Sequence, residues 1–231
     1  MDTSKTLIII PVYNEAFAIP YVLNELAELS DIEVLVIDDA STDNSLAVCL
    51  SRGVKVLPLK LRLGAWSAIQ TGLRYAQKHG YDCVVTMDGD GQHHSCEVPK
   101  LLKAANSNPS ADVVIGECIE RGSQLRHVAW RFFRKITGVG IEDITSGFRL
   151  YRKRAISLLA GNEATILDYQ DIGILLMLRA AGMNIIETRV AMTPRINGKS
   201  HLFSSWHKVA YYMMISTVLS FCKYGKFTIR D

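Results

Sequence analysis

The sequence predicts an α/β fold: a mostly parallel central sheet with helices on both faces. Short apolar, β-branched runs recur along the chain and alternate with segments whose apolar residues fall at helical spacing. Several of those runs end in acidic or turn-forming residues. In sheets of this kind, ligands sit beyond the carboxyl ends of the strands.

Leu7–Ile10 is the first buried strand, expected to stop at Pro11, and Tyr21–Leu29 is the first helix. Glu33–Ile37 is a second strand ending in Asp38-Asp39, after which Ser41 is placed to cap a helix with Thr42 and Asp43 in its first turn. Val54–Leu57 is a third strand, and Trp66–Lys78 is a helix that Gly80 can terminate. Cys83–Met87 is the fourth strand and runs into Asp88-Gly89-Asp90-Gly91-Gln92-His93. Helix Val98–Ala105, strand Asp112–Ile115, helix Val128–Ile136 and the apolar helix Ile172–Ala181 complete the pattern. Residues 1–202 read as one domain and 203–231 as an appended amphipathic helical tail.

Composition excludes several classes. A formal net charge of +3 over 231 residues is too mild to imply a nucleic-acid partner. The position of the charge matters more: Arg121, Arg126, Arg131, Arg134 and Lys135 crowd together, next to Arg149, Arg152, Lys153 and Arg154. Five cysteines without CxxC spacing read as free thiols in a reducing compartment. No secretory leader is expected at the N-terminus, and no stretch reaches the roughly 20 apolar residues of a spanning helix. The tail, with Trp206, Tyr211 and Tyr212 between flanking lysines, suits a helix in the headgroup region, a helix packed on the domain, or a dimer contact. The expectation is a cytoplasmic protein, peripheral on the inner membrane face.

Three strand ends carry the chemistry: Pro11 to Glu15, Asp38-Asp39 and Asp88-Gly89-Asp90. Carboxylates crowded on one edge repel unless a cation or hydrogen-bond donors compensate. Asp88 and Asp90 can point the same way on an extended segment, and oxygen ligands favour Mg²⁺ or Mn²⁺ completed by substrate phosphates. A capping turn or a solvated loop is the alternative for an isolated pattern; together with Asp38-Asp39, cation binding is favoured.

The segments "IIIPVYNE", "VLVIDDASTDNS", "LGAWSAIQTGLRYAQKHGYDCVVTMDGDGQHH", "DITSGFRLYRKRA" and "RINGKSH" occur in this order. In them the chain resembles family 2 glycosyltransferases over residues 5 to 202, most closely the dolichol-phosphate-mannose synthase group with its bacterial polyprenyl-phosphate and lipopolysaccharide-type relatives. The resemblance implies a GT-A nucleotide-sugar-binding fold, a divalent cation (Mg²⁺ or Mn²⁺) and inverting transfer of a hexose from a nucleoside-diphosphate sugar to a polyprenyl phosphate or another lipid-linked or polysaccharide acceptor.

The resemblance also implies residue roles. Pro11, Tyr13 and Glu15 cradle the donor nucleoside, and Asp38 and Asp39 contact ribose and base. Asp88 belongs to both the nucleotide and the metal set, with Asp90 and Gln92 as further metal ligands. Asp143, in the segment that ends Ser146-Gly147-Phe148, is a sugar contact, a base or a turn residue. Asp171 is the base candidate for a hydroxyl acceptor, with helix capping as its alternative. A phosphate acceptor is already ionised and needs arginines instead, for which Arg126 and Arg131 are the candidates. Ser146 joins this phosphate-binding set, as do Arg195, Lys199 and Ser200, which match a late loop over the donor phosphates.

One departure stands out. Phosphate-accepting relatives often read Gly-Ser-Arg after the fifth strand, and this chain reads Gly116-Glu117-Cys118. The alternative function is a catalytically inactive, membrane-associated subunit that keeps the glycosyltransferase shell. A receiver domain is disfavoured because the acidic pair follows the second strand, and a dinucleotide enzyme because no GxGxxG follows the first.

Overall fold

A computed structural model describes residues 5–29, 31–118, 131, 140–166 and 172–193. Among them, β1 (Thr6–Val12), β2 (Glu33–Asp38), β3 (Lys55–Pro58), β4 (Cys83–Thr86), β5 (Val113–Glu117), β6 (Arg149–Arg152) and β7 (Ile185–Arg189) form one sheet. Its order is β3-β2-β1-β4-β6-β5-β7. Every pairing is parallel except those of β6, which runs against both β4 and β5. The helices are α1 (Ile19–Leu26), α2 (Ser45–Ser51), α3 (Ala65–Lys78), α4 (Val98–Ser107), α5 (Lys153–Ala160) and α6 (Ile172–Ala180).

The central strands β1, β2 and β4 are mostly apolar because both of their faces are covered. Leu7, Ile9, Leu35 and Ile37 pack with Trp66, Leu73, Ile156 and Leu178 of α3, α5 and α6. Ile8, Ile10, Val36 and Val85 point the other way, onto Val22, Leu26, Cys49 and Leu101 of α1, α2 and α4. α3 ends as expected: Gly80 takes φ +70°, a left-handed conformation that glycine adopts without a Cβ penalty.

The order places β2 and β3 on one side of β1 and β4 on the other, so the chain reverses direction across the sheet between β1 and β4. Such a switch point opens a crevice at the strands' carboxyl ends. Pro11 lies inside β1 and does not stop it. β1 pairs with β4 only from Thr6 to Ile9, whereas its pairing with β2 continues to Val12. The missing N–H of Pro11 therefore falls beyond the last β1–β4 pair, where the two strands separate.

Two other expectations change. α2 begins at Ser45 with Asn44 at its N-cap, so Ser41 does not cap it. Ser41 Oγ instead accepts a hydrogen bond from Asn14 N at 3.1 Å. β6 and β7 were not expected as strands. The helix read over 128–136 and the tail from 203 lie outside the described residues, Arg131 excepted.

Candidate active site

Three loops meet at the switch point. The first, after β1, is clipped to the second, after β2, by Asn14: its side-chain Oδ1 accepts from Thr42 N at 2.8 Å and Asp43 N at 3.3 Å. Glu15 N donates to Ser45 Oγ, and Ala16 N to Asp43 Oδ2. Burial pushes the Asp43 carboxyl upward, but hydrogen bonds from Ser45 and Ala16 outweigh it and leave the group below its ordinary value. Asn14 and Ala40 both sit at left-handed φ, +55° and +56°, conformations that non-glycine residues hold only where the surroundings over-determine them. The strain falls on the two turns that carry the expected nucleoside-binding residues.

Asp38 and Asp39 are both buried, at 2% exposure. Asp39 accepts from the backbone N–H groups of Leu63 and Gly64 at 2.7 and 2.8 Å, and so holds the loop between β3 and α3. That loop brings the Arg62 guanidinium to 3.9 Å from the centre of the Tyr13 ring. Asp38 Oδ2 accepts from Ser41 N, while its buried Oδ1 has no hydrogen-bond partner among the described residues. Beneath it, burial and the nearby Asp38 and Asp43 charges push the Cys49 thiol up to about 11, so it stays neutral.

The third loop follows β4. The Asp88 side chain is 35% exposed and forms the rim. Asp90 does not: it is 1% exposed, and its Oδ1 accepts from Gln92 N at 3.0 Å, closing the turn. The rim position that the pattern suggests for both carboxylates holds for Asp88 only. The Gln92 amide nitrogen donates to Thr193 O at 3.5 Å; Thr193 N donates in turn to Gln92 O, and its hydroxyl to Gly91 O. The segment after β7 is thereby tied to the loop at Thr193. His93 is buried against Phe148, with ring centroids 5.1 Å apart.

The 143–149 segment closes the far side of the crevice. Gly147 lies against Asp88 so closely that a Cβ there would stand 3.2 Å from Asp88 Oδ1 and 3.3 Å from Oδ2. Asp143 and Ser146 are fully buried. Asp143 accepts from Cys118 N and Thr145 Oγ1, and Ser146 Oγ donates to Gly116 O at 2.6 Å. In this arrangement both side chains build the turn and present no exposed atom to a ligand. Arg149, also fully buried, donates to the carbonyls of Ser146 and Ile144. Glu187 on β7 takes the N–H groups of Glu142 and Asp143; burial raises its carboxyl above the ordinary range, assisted by the Glu117 and Glu142 charges.

Pro11, Tyr13, Glu15, Asp38, Asp39, Asp88, Asp90 and Gln92 therefore share one edge of the sheet. Arg131 is exposed. Arg126, Asp171, Arg195, Lys199 and Ser200 lie outside the described residues. The sequence reading passed over Asn14, Arg62, Phe148, Glu187 and Thr193, and placed His93 after the fourth strand without giving it a role. Only Asn14 and Phe148 carried a signal, as members of the quoted motifs.

Comparison with known proteins agrees with this geometry. The family model for glycosyl transferase family 2 matches residues 7–159. The chain is 30% identical over 222 residues to the polyprenol monophosphomannose synthase of Mycolicibacterium smegmatis, covering 88% of this chain and 83% of the relative. It is 31% identical over 217 residues to the undecaprenyl-phosphate mannosyltransferase of Micrococcus luteus, covering 86% and 87%. Among solved structures, a glucosyl-3-phosphoglycerate synthase from Mycobacterium tuberculosis, in complex with Mn²⁺, UDP and phosphoglyceric acid, matches at a TM-score of 0.73 and 19% identity, covering 99% of this chain and 80% of that one. A mannosyltransferase from Pyrobaculum calidifontis in complex with GDP-Man and Mn²⁺ matches at 0.71 and 18%, covering 97% and 66%. The fold is that of the GT-A glycosyltransferases, and the chain belongs to glycosyl transferase family 2.

Proposed function

We propose that this glycosyltransferase moves a mannose-type hexose from a nucleoside diphosphate to a polyprenyl phosphate, with inversion, using a divalent cation at the Asp88–Asp90 loop. The observation that carries the reading is the meeting of three acid-bearing loops at the β1/β4 switch point. The choice of acceptor and sugar follows the relatives named for polyprenol monophosphomannose synthesis and undecaprenyl-phosphate mannosyl transfer.

The donor set fits the ion. Among the described residues, no three His, Cys, Asp or Glu side chains form a ready-made cage. Two carboxylates completed by substrate phosphates is the arrangement Mg²⁺ and Mn²⁺ use. Asp88 on the rim and Asp90 beneath it are the assigned ligands. Gln92 would join them, its amide nitrogen being engaged with Thr193 O and its oxygen left for the ion. When bound, such an ion neutralises the charge that collects on the departing diphosphate.

The chain's residues do the rest. Asp38 Oδ1 is the acceptor for a ribose hydroxyl or base N–H, which would satisfy its buried lone pairs. Pro11, Tyr13 and Glu15 hold the nucleoside, with Arg62 on the Tyr13 ring. Arg126 and Arg131 are assigned to the acceptor phosphate, and Arg195, Lys199 and Ser200 to the donor phosphates. An ionised phosphate oxygen attacks the anomeric carbon opposite the leaving diphosphate. No proton has to be removed, so Asp171 is needed as a base only for a hydroxyl acceptor. No helix among the described residues is long and apolar enough to cross a membrane. The 203–231 tail is assigned to the headgroup region, which would bring the site to its lipid at the inner membrane face.

The test is a transfer assay with GDP-mannose and UDP-glucose as donors, undecaprenyl phosphate and 3-phosphoglycerate as acceptors, and Mn²⁺, Mg²⁺ or EDTA. The expected product is an inverted mannosyl-polyprenyl phosphate, formed only with metal. Transfer to 3-phosphoglycerate alone overturns the acceptor, and transfer undiminished by EDTA overturns the metal.

A further inference from the structure

We infer that His93 is a positioning residue for Asp88, holding the rim carboxylate where a cation and the donor diphosphate need it. The inference rests on the metal reading above and assigns a role to a side chain outside the ligand set. Asp88 N donates to His93 Nδ1 at 2.9 Å. Because Nδ1 accepts, the ring carries its proton on Nε2. That second nitrogen lies 3.8 Å from Asp88 Oδ2, beyond hydrogen-bond distance but close enough to act on the carboxylate electrostatically. One imidazole thus brackets the same residue through its backbone and its side chain.

The ring itself cannot drift. It is 0% exposed at the side chain, while Asp88 is 35% exposed. One face stacks on Phe148 with only 18° between the planes, and Phe148 is fully buried at the start of β6. The His93 backbone forms an antiparallel bridge to Met192, next to the Thr193 contacts with Gly91 and Gln92. Gly147 also lies against the carboxylate, where a Cβ would stand 3.2 Å from Oδ1 and push it out of place. The loop needs such support. Two glycines flank Asp90, and a half-exposed carboxylate without a fixed neighbour would sample several rotamers. The Nδ1 acceptor is what ties the rim ligand's backbone in place, and the loss of groups that orient metal ligands weakens metal affinity about 10–100-fold.

Two substitutions separate this role from packing. His93→Phe keeps an aromatic ring on Phe148 and removes both nitrogens; His93→Asn keeps an acceptor for Asp88 N and loses the ring. Mn²⁺ binding is titrated by electron paramagnetic resonance in the presence of GDP, and again with UDP, with circular dichroism and Tm as fold controls. The expected result is about a tenfold or greater loss of Mn²⁺ affinity in folded His93→Phe, with His93→Asn recovering most of it. Unchanged affinity in folded His93→Phe overturns the inference alone. Should that variant not fold, a tenfold loss in His93→Asn overturns it, and near-parental affinity there sustains it. Parent protein that takes up no Mn²⁺ with either nucleotide overturns the metal reading and this inference together.

Discussion

Asp88 and Asp90 are two positions apart in the chain yet differ in surroundings, and their substitutions should differ accordingly. Asp90 is buried and accepts the N–H that closes its turn. Asp90→Asn preserves that acceptor, whereas Asp90→Ala leaves Gln92 N without it, at a cost of about 1–3 kcal/mol. We expect Asp90→Asn to lose at least about a hundredfold in metal-dependent transfer at nearly parental Tm, and Asp90→Ala to lose activity and Tm together. Equal Tm values for the two variants would show that the Asp90 carboxylate does not hold the turn. The acidic pairs were legible as chemistry from the chain alone, because Asp38-Asp39 and Asp88-Gly89-Asp90 end strands expected on one sheet edge, where uncompensated carboxylates repel. Their unequal burial was not, since the loop is packed by residues far away in sequence, Gly147 against Asp88 and Thr193 on Gly91 and Gln92.

At the scale of elements, β7 and the 142–143 turn are joined through Glu187, whose two oxygens take the N–H groups of Glu142 and Asp143. Burial raises its pKa above 4.5, with Glu117 and Glu142 adding to the shift. The folded state therefore binds this proton more tightly than the unfolded chain. The group's contribution to stability is complete below the unfolded value and is lost as pH rises through the raised one. Glu187→Gln keeps an acceptor without the charge, so its Tm should fall less than the parent's between pH 4.5 and 7. Parallel Tm–pH curves would contradict the assignment. Parallel strands and their helices were readable because apolar runs covered on both faces have no polar alternation to confuse. β6 was not: Arg149-Leu150-Tyr151-Arg152 reads as a basic patch, and a buried arginine in a strand is understood only from bonds the fold creates, such as those to the carbonyls of Ser146 and Ile144. β7 has no preceding signal of its own, since its place beside β5 is set by tertiary pairing.

Across the whole molecule, a chain that changes its direction of winding between the parallel strands β1 and β4 gathers distant loops at one crevice, and Pro11 marks where those strands part. The central claim is that Asp88 and Asp90 hold a divalent ion against a nucleotide's phosphates. Thermal unfolding tests it most directly, comparing parent, Asp88→Asn and Asp90→Asn with GDP or UDP and Mn²⁺ at about 100 times Kd, each nucleotide also being run with EDTA. Binding confined to the native state adds about 2.7 kcal/mol at that concentration. For a chain of this size that is roughly 5–10 °C in Tm. This rise is expected for the parent with metal and nucleotide together, and its loss with EDTA or in either variant. A parent Tm that ignores Mn²⁺ with both nucleotides, or variants that rise as far as the parent, would contradict it.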